Sequence, residues 1–194
     1  MNFLAHIYLS GEMGDLMVGN FIGDFVKGKK FHDYSHQMVK GIKLHREIDW
    51  YTDHHKIVDK SKDRLWKKYR HYAGVIIDMF YDHFLARDWY VYSSETLEEF
   101  TQKAYAVLMK KKNLLPEKAR YILYYMVKHD WLLAYQHIDG IERALLGMSR
   151  RTKFQSHMEK ATQDLRADYQ LFGEEFHEFF PEIISHARDF KENL

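Results

Sequence analysis

The chain has 194 residues and no cysteine. That excludes disulfides, thiolate nucleophiles and cysteine-built zinc sites, so any metal must be held by His, Asp, Glu or water. With 46% hydrophobic and 16% aromatic residues, it can bury the core of one folded domain, expected over residues 1–194, and is not a disordered chain. A net charge of +1 creates no field that would gather a polyanion, so nucleic acid is not an expected partner. No apolar run approaches the roughly 20 residues of a membrane span. The opening MNFLAHIYLS has neither the basic region nor the cleavage site of a signal peptide. A cytoplasmic protein is the expectation.

Helical spacing of apolar residues is common and strand-like alternation is scarce. The expected fold class is therefore all-α, a bundle of about seven to nine helices. An apolar N-terminal helix carries His6. From Gly11 to Lys30, glycines at 11, 14, 19, 23 and 28 interrupt any long helix and predict tight bends with close backbone approach. Asp24 lies in this stretch. Asp33 or Ser35 can cap a helix running through SHQMVKGIKLHREIDWYTDHH. A more polar helix is expected over Lys56–Tyr69, and an apolar one over Tyr72–Tyr90. Ser93 or Ser94 can cap the next, ETLEEFTQKAYAVLMKKK; neither has a Glu three residues on to complete a capping box. Pro116 suits the first turn of a helix through EKARYILYYMVKHDWLLAYQH. The tyrosines of that stretch could line a pocket for an apolar chain, but packing in the core is the expectation. A short helix at IDGIERALLGMS, a long one over Lys153–Phe172 and a last segment, GEEFHEFFPEIISHARDF, complete the chain.

The apolar segment YAGVIIDMFYDHFLARDW poses the sharpest problem. Asp78, Asp82 and His83 interrupt it, and burying an unpaired carboxylate costs several kcal/mol or more. A metal ion, a cationic partner or local exposure could offset that cost. Asp78 and Asp82 are spaced i, i+4 on one helix face, as are His45 and Asp49 in LHREID. Two helices that each present such a pair can clasp an ion, and carboxylates with imidazoles suit manganese, magnesium, iron or zinc. Each residue also has a plainer reading: His6 as a core histidine, Asp24 as a helix cap, Arg46 as an ion-pair partner of Asp49. A literal His-Asp pair, His129–Asp130, stands alone in its neighbourhood.

Taken in order, MNFLAH, GNFIGDFVKG, GIKLHREIDWYTD, RHYAGVIIDMFYDHFLARDW and GMSRR resemble the acyl carrier protein phosphodiesterases, a divergent branch of the HD-type phosphohydrolases. The resemblance implies an HD-domain-like helical fold and dependence on manganese, with magnesium or iron as alternatives. It implies removal of the phosphopantetheine arm from holo acyl carrier protein to give the apo protein. Carried onto this chain, it points to His6, Asp24, His45, Asp78 and Asp82 as metal ligands and to Asp24, Asp49 and His83 as catalytic groups. Here the superfamily's His-Asp order is reversed to Asp82–His83, which leaves open which of the two binds metal. Lys27, Arg46 and Arg70 are the cations nearest the motifs and the candidates for phosphate contacts. The basic run Lys62–Arg70 and Arg150–Arg151 would suit docking of an acidic carrier protein. A nucleotide phosphohydrolase and a non-catalytic helical module are the rival readings.

Overall fold

A computed structural model describes residues 1–28, 31 and 33–194. Among the described residues there are twelve α-helical segments and no strand, more than the seven to nine expected because several predicted helices are broken by local chemistry. Helix α1 spans Phe3–Ser10, α2 Asp15–Phe21, α3 His36–Asp53, α4 Lys56–Tyr69 and α5 Ala73–Arg87. Then come the single-turn α6 (Trp89–Tyr92), α7 (Leu97–Lys110), α8 (Glu117–Lys128) and the single-turn α9 (Trp131–Ala134). Helices α10 (Ile138–Ser149), α11 (Ala161–Ala167) and α12 (Tyr169–Glu192) complete the order. No helix among the described residues is long and apolar enough to cross a membrane.

Caps explain the boundaries. The Ser35 hydroxyl accepts from the Met38 amide and starts α3. Helix α7 starts at Leu97 rather than after Ser93 or Ser94, because Thr96 and Glu99 form a reciprocal capping box. Asp130 is left-handed, with φ 44°, and this breaks the expected Glu117–His137 helix into α8 and α9. The His129–Asp130 pair is thus a helix break. The helix expected over Lys153–Phe172 is instead a turn at Met158–Lys160 followed by α11. Helix α12 begins at Tyr169 and runs unbroken past Pro181. Of the basic run KGKK, Lys29 and Lys30 lie outside the described residues.

Helix α5 is the axis of the core. Ile76, Ile77, Met79, Phe80, Tyr81 and Phe84 are fully buried on its different sides, packed against α12 through Phe172, Phe176 and Phe179. The glycine-rich stretch does bring backbone into close approach. Helices α2 and α3 meet where a Cβ on Gly19 would stand 2.0 Å from the Met38 carbonyl oxygen, and one on Gly41 2.0 Å from that of Leu16. This contact carries the short 3-10 turn Gly23–Phe25, and with it Asp24, to the flank of α3.

Candidate metal centre

Five segments converge beside the N-terminal end of α1. Helix α1 supplies His6, the 3-10 turn Asp24, α3 His45 and Asp49, α5 Asp78, and Met1 its amino group. The His6 and His45 rings stack at 4.1 Å between centroids, 20° from parallel. One carboxylate serves both: Asp49 Oδ1 is 3.1 Å from His6 Nε2, and Oδ2 is 3.1 Å from His45 Nε2. Asp24 Oδ1 lies 3.2 Å from the same His45 nitrogen, with its side chain 69% exposed. Gly23 makes room for this, since a Cβ there would fall 2.2 Å from His45 Cγ.

Asn20, which sequence reasoning missed, sets the state of His6. Its amide nitrogen donates to the His6 carbonyl at 2.8 Å and to Ser10 Oγ at 2.9 Å. Its Oδ1 therefore faces His6 Nδ1, 2.9 Å away, and the ring proton belongs on Nδ1. Burial and the neighbouring His45 push the His6 pKa down to about 4, so the ring is neutral and Nε2 presents a lone pair. That lone pair meets Asp49 Oδ1 at 3.1 Å and the Met1 carbonyl oxygen at 3.2 Å. Three electron-rich atoms converging on one another form a donor set for a cation. Ligand atoms of His6, His45 and Asp49 all lie within 4.8 Å of one another. Edges near 3 Å match a coordination shell with metal–ligand distances of about 2.0–2.2 Å. The residues fit a divalent metal.

Without a cation, His45 carries the balancing charge. Burial opposes this, but hydrogen bonds to Asp24 and Asp49 raise its pKa to about 9. Asp49, which burial alone would raise, is held well below the usual carboxylate range by its hydrogen bond from the protonated His45. The hydrogen bond to His45 likewise lowers Asp24. A metal held here by His45 Nε2 would take the place of that proton, so its binding would release one.

The two carboxylates of α5 find different partners, neither of which requires a metal. Asp78 Oδ1 is 3.0 Å from the Met1 ammonium, itself 3.6 Å from Asp49 Oδ1. Burial alone would lower that ammonium, but Asp78 and Asp49 raise its pKa to about 10. Asp78 thus reaches the wall of the site, paired to a cation from the chain itself. Asp82, expected as a ligand, is fully buried, accepts the Leu4 and Ala5 amides at 2.8 and 3.2 Å and is not brought into the group of His6, His45 and Asp49. It caps the first turn of α1, whose free amides and dipole favour an anion there. Burial nevertheless raises its pKa to about 7.

His83, expected among the catalytic groups, also finds its partners elsewhere. Its Nδ1 donates to the Tyr135 carbonyl at 2.7 Å and its Nε2 accepts from the Tyr169 hydroxyl at 2.7 Å. Burial lowers its pKa. It is a neutral core histidine tying α5 to α9 and α12, away from the cluster. Of the expected phosphate contacts, Arg46 donates to the Val26 and Gly28 carbonyls at 2.9 and 2.7 Å and so secures the loop after Asp24. Lys27 is exposed and has no ion pair among the described residues. Arg70 is exposed at the end of α4 with φ 49° and does not line the site. The expected docking run is largely neutralised: Lys62 pairs with Asp59 at 3.0 Å, Arg64 with Glu175 at 2.5 Å and Lys68 with Asp164.

Fold and site together define an all-α protein with a histidine–carboxylate cluster suited to a divalent cation. The family model described as acyl carrier protein phosphodiesterase matches residues 1–183. Curated relatives of that description include one from Photorhabdus laumondii, 30% identical over 190 residues, covering 97% of this chain and 96% of the relative. Another, from Shigella boydii serotype 4, is 32% identical over 191 residues, 96% of this chain and 97% of its own length. No solved structure matches. The chain belongs to the acyl carrier protein phosphodiesterase family and is a phosphoric diester hydrolase.

Proposed function

We propose that the protein hydrolyses the phosphodiester joining phosphopantetheine to a serine of holo acyl carrier protein, giving the apo protein, and that it does so with a divalent metal. The observation that carries the metal dependence is the stacked His6–His45 pair with Asp49 at 3.1 Å from both. The substrate class follows from family membership. His6 Nε2, His45 Nε2 and Asp49 would hold the metal, with Asp24 beside them. When bound, such a metal lowers the pKa of water toward ~7 and offsets charge on the phosphoryl oxygens. Two imidazole donors favour manganese or iron over magnesium, which prefers oxygen and retains its waters.

The remaining groups orient the reaction. Asn20 holds His6 in the tautomer that presents Nε2, and such outer partners typically contribute 10–100-fold in metal affinity or activity. Asp24 stays deprotonated on the exposed side, where its second oxygen can accept a hydrogen bond from the attacking water. Lys27, three residues on, exposed and without an ion pair among the described residues, would donate to a phosphoryl oxygen. Asp78 and the Met1 ammonium brace the opposite wall. The test is mass spectrometry of holo carrier protein incubated with manganese-loaded enzyme. Loss of the phosphopantetheine mass, abolished by chelator and by Asp49→Ala, is expected. An intact holo carrier, or loss that survives both treatments, would overturn the reading.

A further inference from the structure

Next to the metal centre lies a second, larger cavity of about 450 Å³, bordered by α8, α9 and α10. The two share walls: Phe3 and Met148 line both the large cavity and the smaller one that contains His6, His45 and Asp24. From Met148 the groove follows one face of α10 past Gly147, Ala144 and Arg143 to Gly140. That is about 12 Å of helix at 1.5 Å per residue. Its far wall is Ile122, His129 and Trp131. Among the described residues, the charged groups lining it are Arg143 and Arg151, with no carboxylate. Arg151 uses Nε on the Gly147 carbonyl at 3.0 Å, which leaves its terminal nitrogens free to donate.

We propose that this groove binds the pantetheine arm of the substrate and, beyond it, an acyl chain carried on the arm's thiol. The proposal rests on the reading of a carrier-protein phosphodiester as the substrate. A slender, mostly uncharged arm fits a cavity of this volume, which is in the range of small-molecule sites. A helix of the carrier protein, 10–12 Å across, does not. The phosphodiester end of the arm would lie at Phe3 and Met148, at the junction with the metal centre. The arginines can donate to the arm's amide carbonyls, and the aromatic and aliphatic walls suit methylene groups. The aromatic stretch, for which a pocket lining was the alternative to core packing, contributes Ile122, Trp131 and Tyr135 to this wall.

Gly147 provides the test. A Cβ there meets nothing within 4 Å, so a large side chain would enter the groove rather than the core. Pantetheine and S-decanoyl-pantetheine, neither of which carries a phosphodiester to cut, are titrated into the manganese-loaded protein by calorimetry. The wild type is expected to bind both, the decanoyl form several-fold tighter. Gly147→Phe and Ala144→Phe should each weaken binding at least ten-fold, with melting temperatures for Gly147→Phe at or above wild type. Wild-type binding of neither probe, or undiminished binding by both variants, overturns the proposal. Binding by a protein that leaves holo carrier protein intact would support the groove while refuting the hydrolytic reading. Hydrolysis without probe binding would do the reverse.

Discussion

Replacing Gly23 by Ala tests how the site is held. The new Cβ would stand 2.2 Å from His45 Cγ, 2.4 Å from Cδ2 and 2.5 Å from Cβ. Carbon atoms prefer about 3.5–4.0 Å, so the ring or the turn must move by more than about 1 Å. The ring's Nε2 sits 3.1 Å from Asp49 and 3.2 Å from Asp24, and a shift of that size breaks both contacts. Overpacking of this kind costs about 1–3 kcal/mol in stability, and a misplacement of about 1 Å costs about 100-fold in rate. The assay is thermal melting together with manganese titration and phosphodiester turnover. Gly74→Ala is the control, since its Cβ meets only Lys62 Cδ at 4.0 Å, and no loss is expected. Wild-type metal affinity and turnover in Gly23→Ala would refute the placement of His45 in the site.

Three further outcomes follow from the same geometry. Asn20→Leu, which removes the acceptor for His6 Nδ1, should weaken manganese binding 10–100-fold by titration. Asp82→Ala leaves the Leu4 and Ala5 amides unpaired and should cost about 1–3 kcal/mol in denaturant unfolding with metal content unchanged; a stoichiometric loss of metal would restore Asp82 as a ligand. Burial holds His83 below its ordinary value of 6.5, so the folded state binds fewer protons than the unfolded. Its contribution is full above pH 6.5 and is lost as pH falls through the folded value, at up to about 1.4 kcal/mol per pH unit. His83→Gln should flatten the acid side of the stability–pH curve, and an unchanged slope would contradict the burial argument.

Local rules carried far where local forces decide. Lys56–Tyr69 is helical over the expected span, and the i, i+4 spacing of His45 and Asp49 places both in the cluster. The spacing was equally sound for Asp78 and Asp82, yet it could not say what their face would meet. It meets the chain's own first residues: an ammonium for Asp78 and the first-turn amides of α1 for Asp82. The cost of burying both was therefore met by a cationic partner and a helix terminus, contacts separated by nearly eighty positions in sequence. Asn20 and Met148 carried no signal of their own, because their roles depend on which helices meet. The Thr96–Glu99 spacing is itself a local capping-box signal, and it sets the start of α7 in preference to the serines before it.

The central claim is that His6, His45 and Asp49 hold a divalent metal. Its most direct test is an anomalous difference map at the manganese edge from crystals grown with that ion. A peak bounded by His6 Nε2, His45 Nε2 and the Asp49 carboxylate is expected, absent in His45→Ala crystals. A peak at Asp82–His83 or at His129–Asp130, or no peak at all, would contradict the account.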